Sequence, residues 1–303
     1  MAVYEKPAKS IAEQIALLEE RGLIVVNRAS AERALSFISY YRLRAYWLYF
    51  EADLADGSHR LRAGTRLEDV LALYEFDREL RLLVLDAIER IEVAARGSWA
   101  YQMATRHGSH GYLKPSLYPD RRQFDANYRA LLDEVNRSHD AFILHYRKCY
   151  DEPLLPPVWM AAELMSFGLL SKWQGALGAA ADRKGIAKPF GLGDGSYFSF
   201  IHHLSTIRNV CAHHGRLWNR LFAVRPVLPS QPSGLAASLA QNSIPALYNT
   251  LTITVFVLTQ IDPAQRIGSR LTELLLRHPT GDLKAMNFPA DWRKRDIWVS
   301  ASE

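Results

Sequence analysis

YEFDRELRLLVLDAIERIEVAAR, residues 74–96, decides the fold. Leu80, Leu83, Ala87, Ile88, Ile91 and Ala95 recur every three or four positions. At about 100° per residue they fall on one stripe of an α-helix. The pattern begins near Leu67 and continues to about Thr105, which predicts one long helix.

The same period governs the chain on either side. Upstream, Ile11, Ile15 and Leu18 mark a helix ending near Gly22, a residue suited to a left-handed cap. A second helix is expected over about Ala31 to Phe37, followed by the aromatic-rich SYYRLRAYWLYF (39–50) and the polar connector DLADGSHRLRAGT. Downstream, the loop RHGSHGYLKPSLYPD ends the long helix, and helices are expected over 121–138 and 140–149. DEPLLPP separates this half from the next helical run, and its last residue, Pro157, suits a first-turn position. The glycine-rich KPFGLGDGS then leads to Ser196 as a helix N-cap. RPVLPSQPSG reads as a loop, and two more helices are expected over about 244–260 and 263–277. IPALYNTLTITVFVLTQI (244–261) is interrupted by Asn249 and four threonines, so it reads as a buried helix rather than a membrane span. The expectation is an all-α chain with an N-terminal helical segment (1–66), a main helical domain (67–278) and an irregular surface tail (279–303).

The 303 residues are 49% hydrophobic and 23% charged, an ordinary composition for a soluble globular protein. The net charge of +5 is compatible with a polyanionic partner without demanding one. Two cysteines, Cys149 and Cys211, exclude a disulfide framework and form no CxxC pair for structural zinc. A reducing cytoplasm is the expected location, and the polar MAVYEKPAKS lacks the pattern of a secretory signal. GxSxG and HExxH are missing, and GLGDG neither follows a strand nor ends in Lys-Ser/Thr, so it is a poor phosphate loop.

The chemistry concentrates in RNVCAHHGRLWNR, residues 208–220. Drawn as a continuing helix, Leu204, Ile207 and Cys211 form an apolar stripe, with Phe200 and Trp218 prolonging it. Arg208 falls inside or at the edge of that stripe. A guanidinium keeps its charge, so burial there requires an anion opposite: Glu89 or Glu92 of the long helix, or a phosphate from outside. His213 follows Asn209 by one turn, close enough for the amide to orient the ring, and an imidazole is the side chain best suited to move a proton near neutral pH. Arginine beside an oriented histidine fits cleavage of RNA without a metal, one group moving the proton while the other stabilises the phosphorane. Arg216 and Arg220 extend the polar stripe and are candidates for RNA phosphates or for surface carboxylates. An R-x-x-x-x-H spacing occurs once in the chain. The plainer readings are an ion pair that locks Arg208 between helices, a core role for His213, packing for Trp218, a helix-end hydrogen bond for Asn219 and core burial of the 39–50 aromatics.

RNVCAHHGRLWNR resembles the C-terminal motif of the Abi-like (abortive infection) family, a branch of the HEPN superfamily. KPAKSIAEQIALLEERGL and ISYYRLRAYWLYF resemble that family's opening signature, and residues 74–96 its first long helix. The resemblance implies a HEPN-like helical bundle with an N-terminal helical extension and additional C-terminal helices. It also implies an active motif of Arg208, Asn209 and His213, with Arg216 and Arg220 toward RNA and Glu89 and Glu92 in support. Two copies of the motif are expected to meet in a homodimer, with no metal, cofactor or membrane required. Cleavage of RNA in defence against phage, or as a toxin held by an antitoxin protein or small RNA, is the implied activity. A non-catalytic RNA-binding or partner-binding module is the alternative. Residues after about 225 carry no matching signature.

Overall fold

A computed structural model of the chain describes residues 3, 7–53, 55, 57–241, 244–278 and 282–300. Among these the fold is all-α. Fourteen α-helices form, no strand does, and extended pairing is limited to isolated bridges between Ile24 and Arg66 and between Glu51 and Leu61. No described helix is long and apolar enough to cross a membrane.

The chain divides into two compact units: Met1–Leu80 with Leu274–Asp282, and Arg81–Glu273 with Leu283–Glu303. The division falls within the long helix, at Leu80, rather than at the expected residue 66.

In the first unit, α1 (Ile11–Glu20) opens with a capping box: Ser10 Oγ accepts from Glu13 N–H at 3.3 Å, and Glu13 accepts from Ser10 N–H at 2.6 Å. Gly22, at φ +96°, ends the turn as its sequence position predicted. Then come α2 (Arg28–Phe37) and α3 (Tyr40–Trp47). Leu43, Tyr46 and Trp47 of the aromatic-rich stretch are buried, with Tyr40 against Trp47 at 4.7 Å, so these rings serve the core. Tyr41 projects to solvent. The Tyr46 hydroxyl donates to the fully buried Asp77 carboxylate at 2.7 Å, which satisfies a charge that burial alone would penalise.

The second unit holds the remainder of α4 (Leu67–His107), whose expected stripe is buried at Leu83, Ala87, Ile88, Ile91 and Ala95. Around it lie α5 (Arg121–Arg137), α6 (Ala141–Cys149), α7 (Val158–Leu164), α8 (Phe167–Gly175), α9 (Ala180–Ala187) and α10 (Asp194–Ala212). Trp173 of α8 is the hub of this core. Its fully buried ring lies 5.4–6.3 Å from the rings of Tyr118, Tyr112, Phe124 and Trp99, which bind α4, α5 and the loop between them to α8. Gln174 beside it donates to Ala95 O at 3.0 Å and accepts from the Tyr197 hydroxyl at 3.2 Å, so α10 is held on α8 and α8 on α4.

After α11 (Ser233–Ser238) comes α12 (Leu247–Ile261), buried along most of its length as expected, and then α13 (Ile267–Arg277). Residues 283–300 contradict the expected irregular surface tail. They form two 3-10 turns and α14 (Asp296–Ser300), and Met286, Phe288, Trp292 and Trp298 are buried. Trp298 Nε1 donates to Thr252 Oγ1 at 3.2 Å, and Arg295 donates to Leu239 O at 2.8 Å. Residues 279–281 and 301–303 of that expected tail lie outside the described residues.

Candidate functional site

The site is built on the C-terminal end of α10. The helix starts one turn earlier in effect than its expected cap: Gly193 is the N-cap, and Ser196 already lies within the first turn. Asp194 at that end favours the helix dipole and pairs with Arg183 Nε at 3.1 Å, while the Arg183 guanidinium lies 4.3 Å over the Phe198 ring. Tyr197, Ile201, Leu204, Ile207 and Cys211 are buried, and α8 and α9 cover that face.

The helix stops at Ala212, so the continuous helix expected through 220 is corrected. His213 is the C-cap at φ −89°, His214 adopts φ +57°, and the chain turns away. The closing bonds run from Gly215 N–H to Val210 O at 2.8 Å and from His214 N–H to Cys211 O at 3.0 Å, the two bonds of a Schellman end. Arg216 and Arg220 consequently belong to a loop rather than a helical stripe. Asn219, at φ +50°, is a left-handed turn residue rather than a helix-end group. The loop is fixed by its apolar members: Leu217, Trp218 and Phe222 are buried, in agreement with the packing role read for Trp218. Arg220 folds back on the turn, donating to Arg216 O at 3.4 Å, with its guanidinium beside Gly215.

Arg208, Asn209 and His213 are all exposed. The expected burial of Arg208 at the apolar edge is therefore corrected. Ile201, Leu204 and Ser205, which bracket its angular position one and two turns earlier, are buried, so the covered flank narrows in the last turns. Arg208 makes no hydrogen bond or ion pair with any described residue, and the expected partners are engaged differently. Glu92 pairs with Arg96, which also donates to Ala162 O and to Glu163 O at the end of α7. Glu92 therefore braces α4 against α7. Glu89 is exposed and likewise unbonded to Arg208. Asn209 and His213 are neighbours along the helix, since His213 N–H donates to Asn209 O at 3.0 Å, but no bond joins their side chains. The N–H groups of residues 213–215 are consumed by helix carbonyls, so an anion here must be met by side chains, and the arginines of this stretch supply the positive charge.

His203, by contrast, is structural. Its Nδ1 lies 2.7 Å from Val224 O, which can only accept, so Nδ1 carries the proton and Nε2 accepts from Thr250 Oγ1 at 2.8 Å. Burial pushes its pKa down from the usual 6.5 to about 4. Since the unfolded chain takes up this proton first, the neutral ring stabilises the fold above pH 6.5, and that stabilisation is lost as the pH falls toward 4. The loss amounts to about 3 kcal/mol. Urea melts from pH 7.5 to 4 check this: the wild type should lose more stability on acidification than His203→Gln, and parallel curves would refute it.

Sequence reading also missed a buried charge cluster. Asp182 of α9, fully buried, accepts from Arg106 Nε at 2.5 Å and lies 2.9 Å from His107 Nε2, joining α9 to the last turn of α4.

A family model described as Abi-like protein matches residues 33–219, a span that contains α4 and ends within the loop after α10. The chain belongs to the Abi-like family. The matched span includes Arg208, Asn209, His213 and Arg216, and Arg220 lies one residue beyond it. Searches of curated proteins and of solved structures found no match.

Proposed function

We propose that this Abi-like protein is an endoribonuclease of the HEPN type that cuts RNA without a metal, serving abortive-infection defence against phage or acting as a toxin. The observation that carries the reading is the exposure of Arg208, Asn209 and His213 together at the end of α10, with Arg208 unengaged by any described carboxylate. A fixed cation left open to solvent beside an exposed imidazole is suited to a phosphodiester.

In the proposed reaction, one basic group removes the proton of a ribose 2′-hydroxyl and O2′ attacks the adjacent phosphorus. The P–O5′ bond then breaks and O5′ receives a proton, leaving a 2′,3′-cyclic phosphate and a 5′-hydroxyl. His213 serves one of these two transfers, and Arg208 stabilises the charge gathering on the phosphorane. Asn209 positions the ring or the phosphate, and Arg216 and Arg220 hold flanking phosphates. In-line displacement needs proton transfer on two opposite sides, so a second group is required; a homodimer is one source of it. Regulation by an antitoxin protein or a small RNA is compatible with a site this open.

Labelled RNA incubated with the full chain in EDTA tests the reading. The expected result is new fragments ending in cyclic phosphate. A shifted but intact band would replace the nuclease with an RNA-binding module.

A further inference from the structure

Beyond α3 the aromatic-rich stretch ends in a 3-10 turn, Leu48–Phe50, where Tyr49 and Phe50 are half-buried rather than sealed in the core. The segment that returns toward α4 pairs with this turn. Arg62 N–H donates to Phe50 O at 2.8 Å, and Arg62 Nη2 donates to Tyr49 O at 2.7 Å. The guanidinium lies 5.1 Å from the centre of the Tyr49 ring and 5.7 Å from that of Phe50. The Tyr49 ring is itself anchored, its hydroxyl donating to Asp282 at 2.9 Å. Thr65 closes the next turn, its N–H and its hydroxyl both donating to Arg62 O, at 3.1 and 2.7 Å. Arg62 is thus exposed and yet held in place, so little rotamer freedom remains to be lost when a ligand arrives.

These residues and Asp69 line one open cavity of about 420 Å³, all of it within the first unit. Asp69, in the first turn of α4, accepts from Arg66 N–H at 2.9 Å through Oδ2, while its Oδ1 makes no hydrogen bond with a described residue. A cavity that holds both a guanidinium laid on aromatic rings and a carboxylate favours a flat, neutral ligand over an ion of either sign. A nucleobase of any kind can stack on such a platform. The carboxylate decides which one, because it can only accept. Among the bases of RNA, guanine carries two N–H donors side by side on its pairing edge. Adenine and cytosine set a lone-pair nitrogen beside their amino group, and uracil flanks its one N–H with carbonyls. The geometry points to this cavity as a guanine-binding site, the base stacked against Arg62 and its N1–H and N2–H donating to Asp69. The base belongs to an unpaired guanosine of an RNA strand or to a free guanine nucleotide. This goes beyond the ribonuclease reading and uses none of its chemistry.

Equilibrium binding to the full chain in EDTA tests this, with GMP, AMP and short 2′-O-methylated oligonucleotides that contain or lack one guanine. The guanine ligand is expected to bind at least about 10-fold more tightly than its adenine counterpart. Arg62→Ala is expected to weaken every ligand about 10-fold, and Arg62→Lys to recover little, because an ammonium offers no planar face. Asp69→Asn keeps an oxygen for Arg66 N–H. It is expected to abolish the preference for guanine while leaving adenine binding unchanged, which a purely structural role would not do. Preference shown by GMP itself assigns the free nucleotide, and preference shown by the strand alone assigns RNA. Equal binding of guanine and adenine ligands overturns the proposal, as does a guanine preference that survives both Arg62→Ala and Asp69→Asn, or a wild type that binds neither ligand. Should Arg62→Ala lower the melting temperature, Asp69→Asn and a cross-link still decide: a strand carrying 6-thioguanosine that attaches under ultraviolet light only outside residues 49–69 overturns the site. Failure of the protein to cut RNA leaves all of these measurements readable, so the two readings fail separately.

Discussion

If the proposed function holds, Arg208→Ala and His213→Ala are each expected to lower RNA cleavage by about 10²- to 10⁴-fold while leaving the helical circular dichroism of the protein unchanged. The magnitude follows from the roles: a positioned proton-transfer group and a cation aimed at developing phosphorane charge each contribute on that scale. The unchanged fold follows from placement. Both side chains are exposed, His213 lies outside the helix proper, and among the described residues Arg208 holds no carboxylate that its removal would strand. A guanidinium buried in an ion pair would behave differently, because removing it would leave a buried carboxylate uncompensated and destabilise the protein. Single-turnover cleavage and thermal melting on the same samples separate these outcomes. Retained activity in both variants would contradict the assignment of the site.

The largest effect on stability is expected at Trp173. Trp173→Ala removes the ring that four other aromatic side chains surround, and the cavity left behind cannot close without moving α4, α5 and α8 together. Truncation of a fully buried tryptophan costs about 3–5 kcal/mol, which lowers the melting temperature by roughly 10 °C for a protein of this size. Because α10 is held on α8 through Tyr197 and Gln174, the same variant is expected to lose activity in step with folding, recovering it on cooling. Thermal denaturation followed by calorimetry measures this, and a shift of only a degree or two would show that the hub is not what joins these helices.

The helical framework was legible because the apolar period is local. The stripe of α4, the amphipathic α1 and α5, and the threonine-bearing but buried α12 each carry their own signal over ten residues or more. The tail was illegible for the opposite reason: Trp292 and Trp298 are buried by packing in which α14 meets α11 and α12, distant in sequence and without a periodic trace. At the site, the residues were recognisable but their arrangement was not. Trp218 follows Cys211 by seven positions and so imitates the next helical turns, whereas it reaches the interior from a loop. Gly215 was the available stop signal, a glycine just beyond the last helical residues. Its weight is clear only from the approach to Val210. Arg208 misled in the same way, since an angular position near the apolar stripe implies burial only where a neighbouring helix covers it. His214 gave no sequence signal beyond its neighbour, because a left-handed φ at a non-glycine residue is a property of the turn as folded.

The proposed activity is cleavage of RNA at the end of α10 by attack of the ribose 2′-hydroxyl. Its most direct test compares two oligonucleotides of one sequence, one with ribose throughout and one 2′-O-methylated throughout, incubated with the full-length protein in EDTA. The ribose strand is expected to be cut to fragments ending in 2′,3′-cyclic phosphate, and the methylated strand to be bound but left whole. Equal cutting of both strands, or cutting that leaves a 3′-hydroxyl, would contradict it.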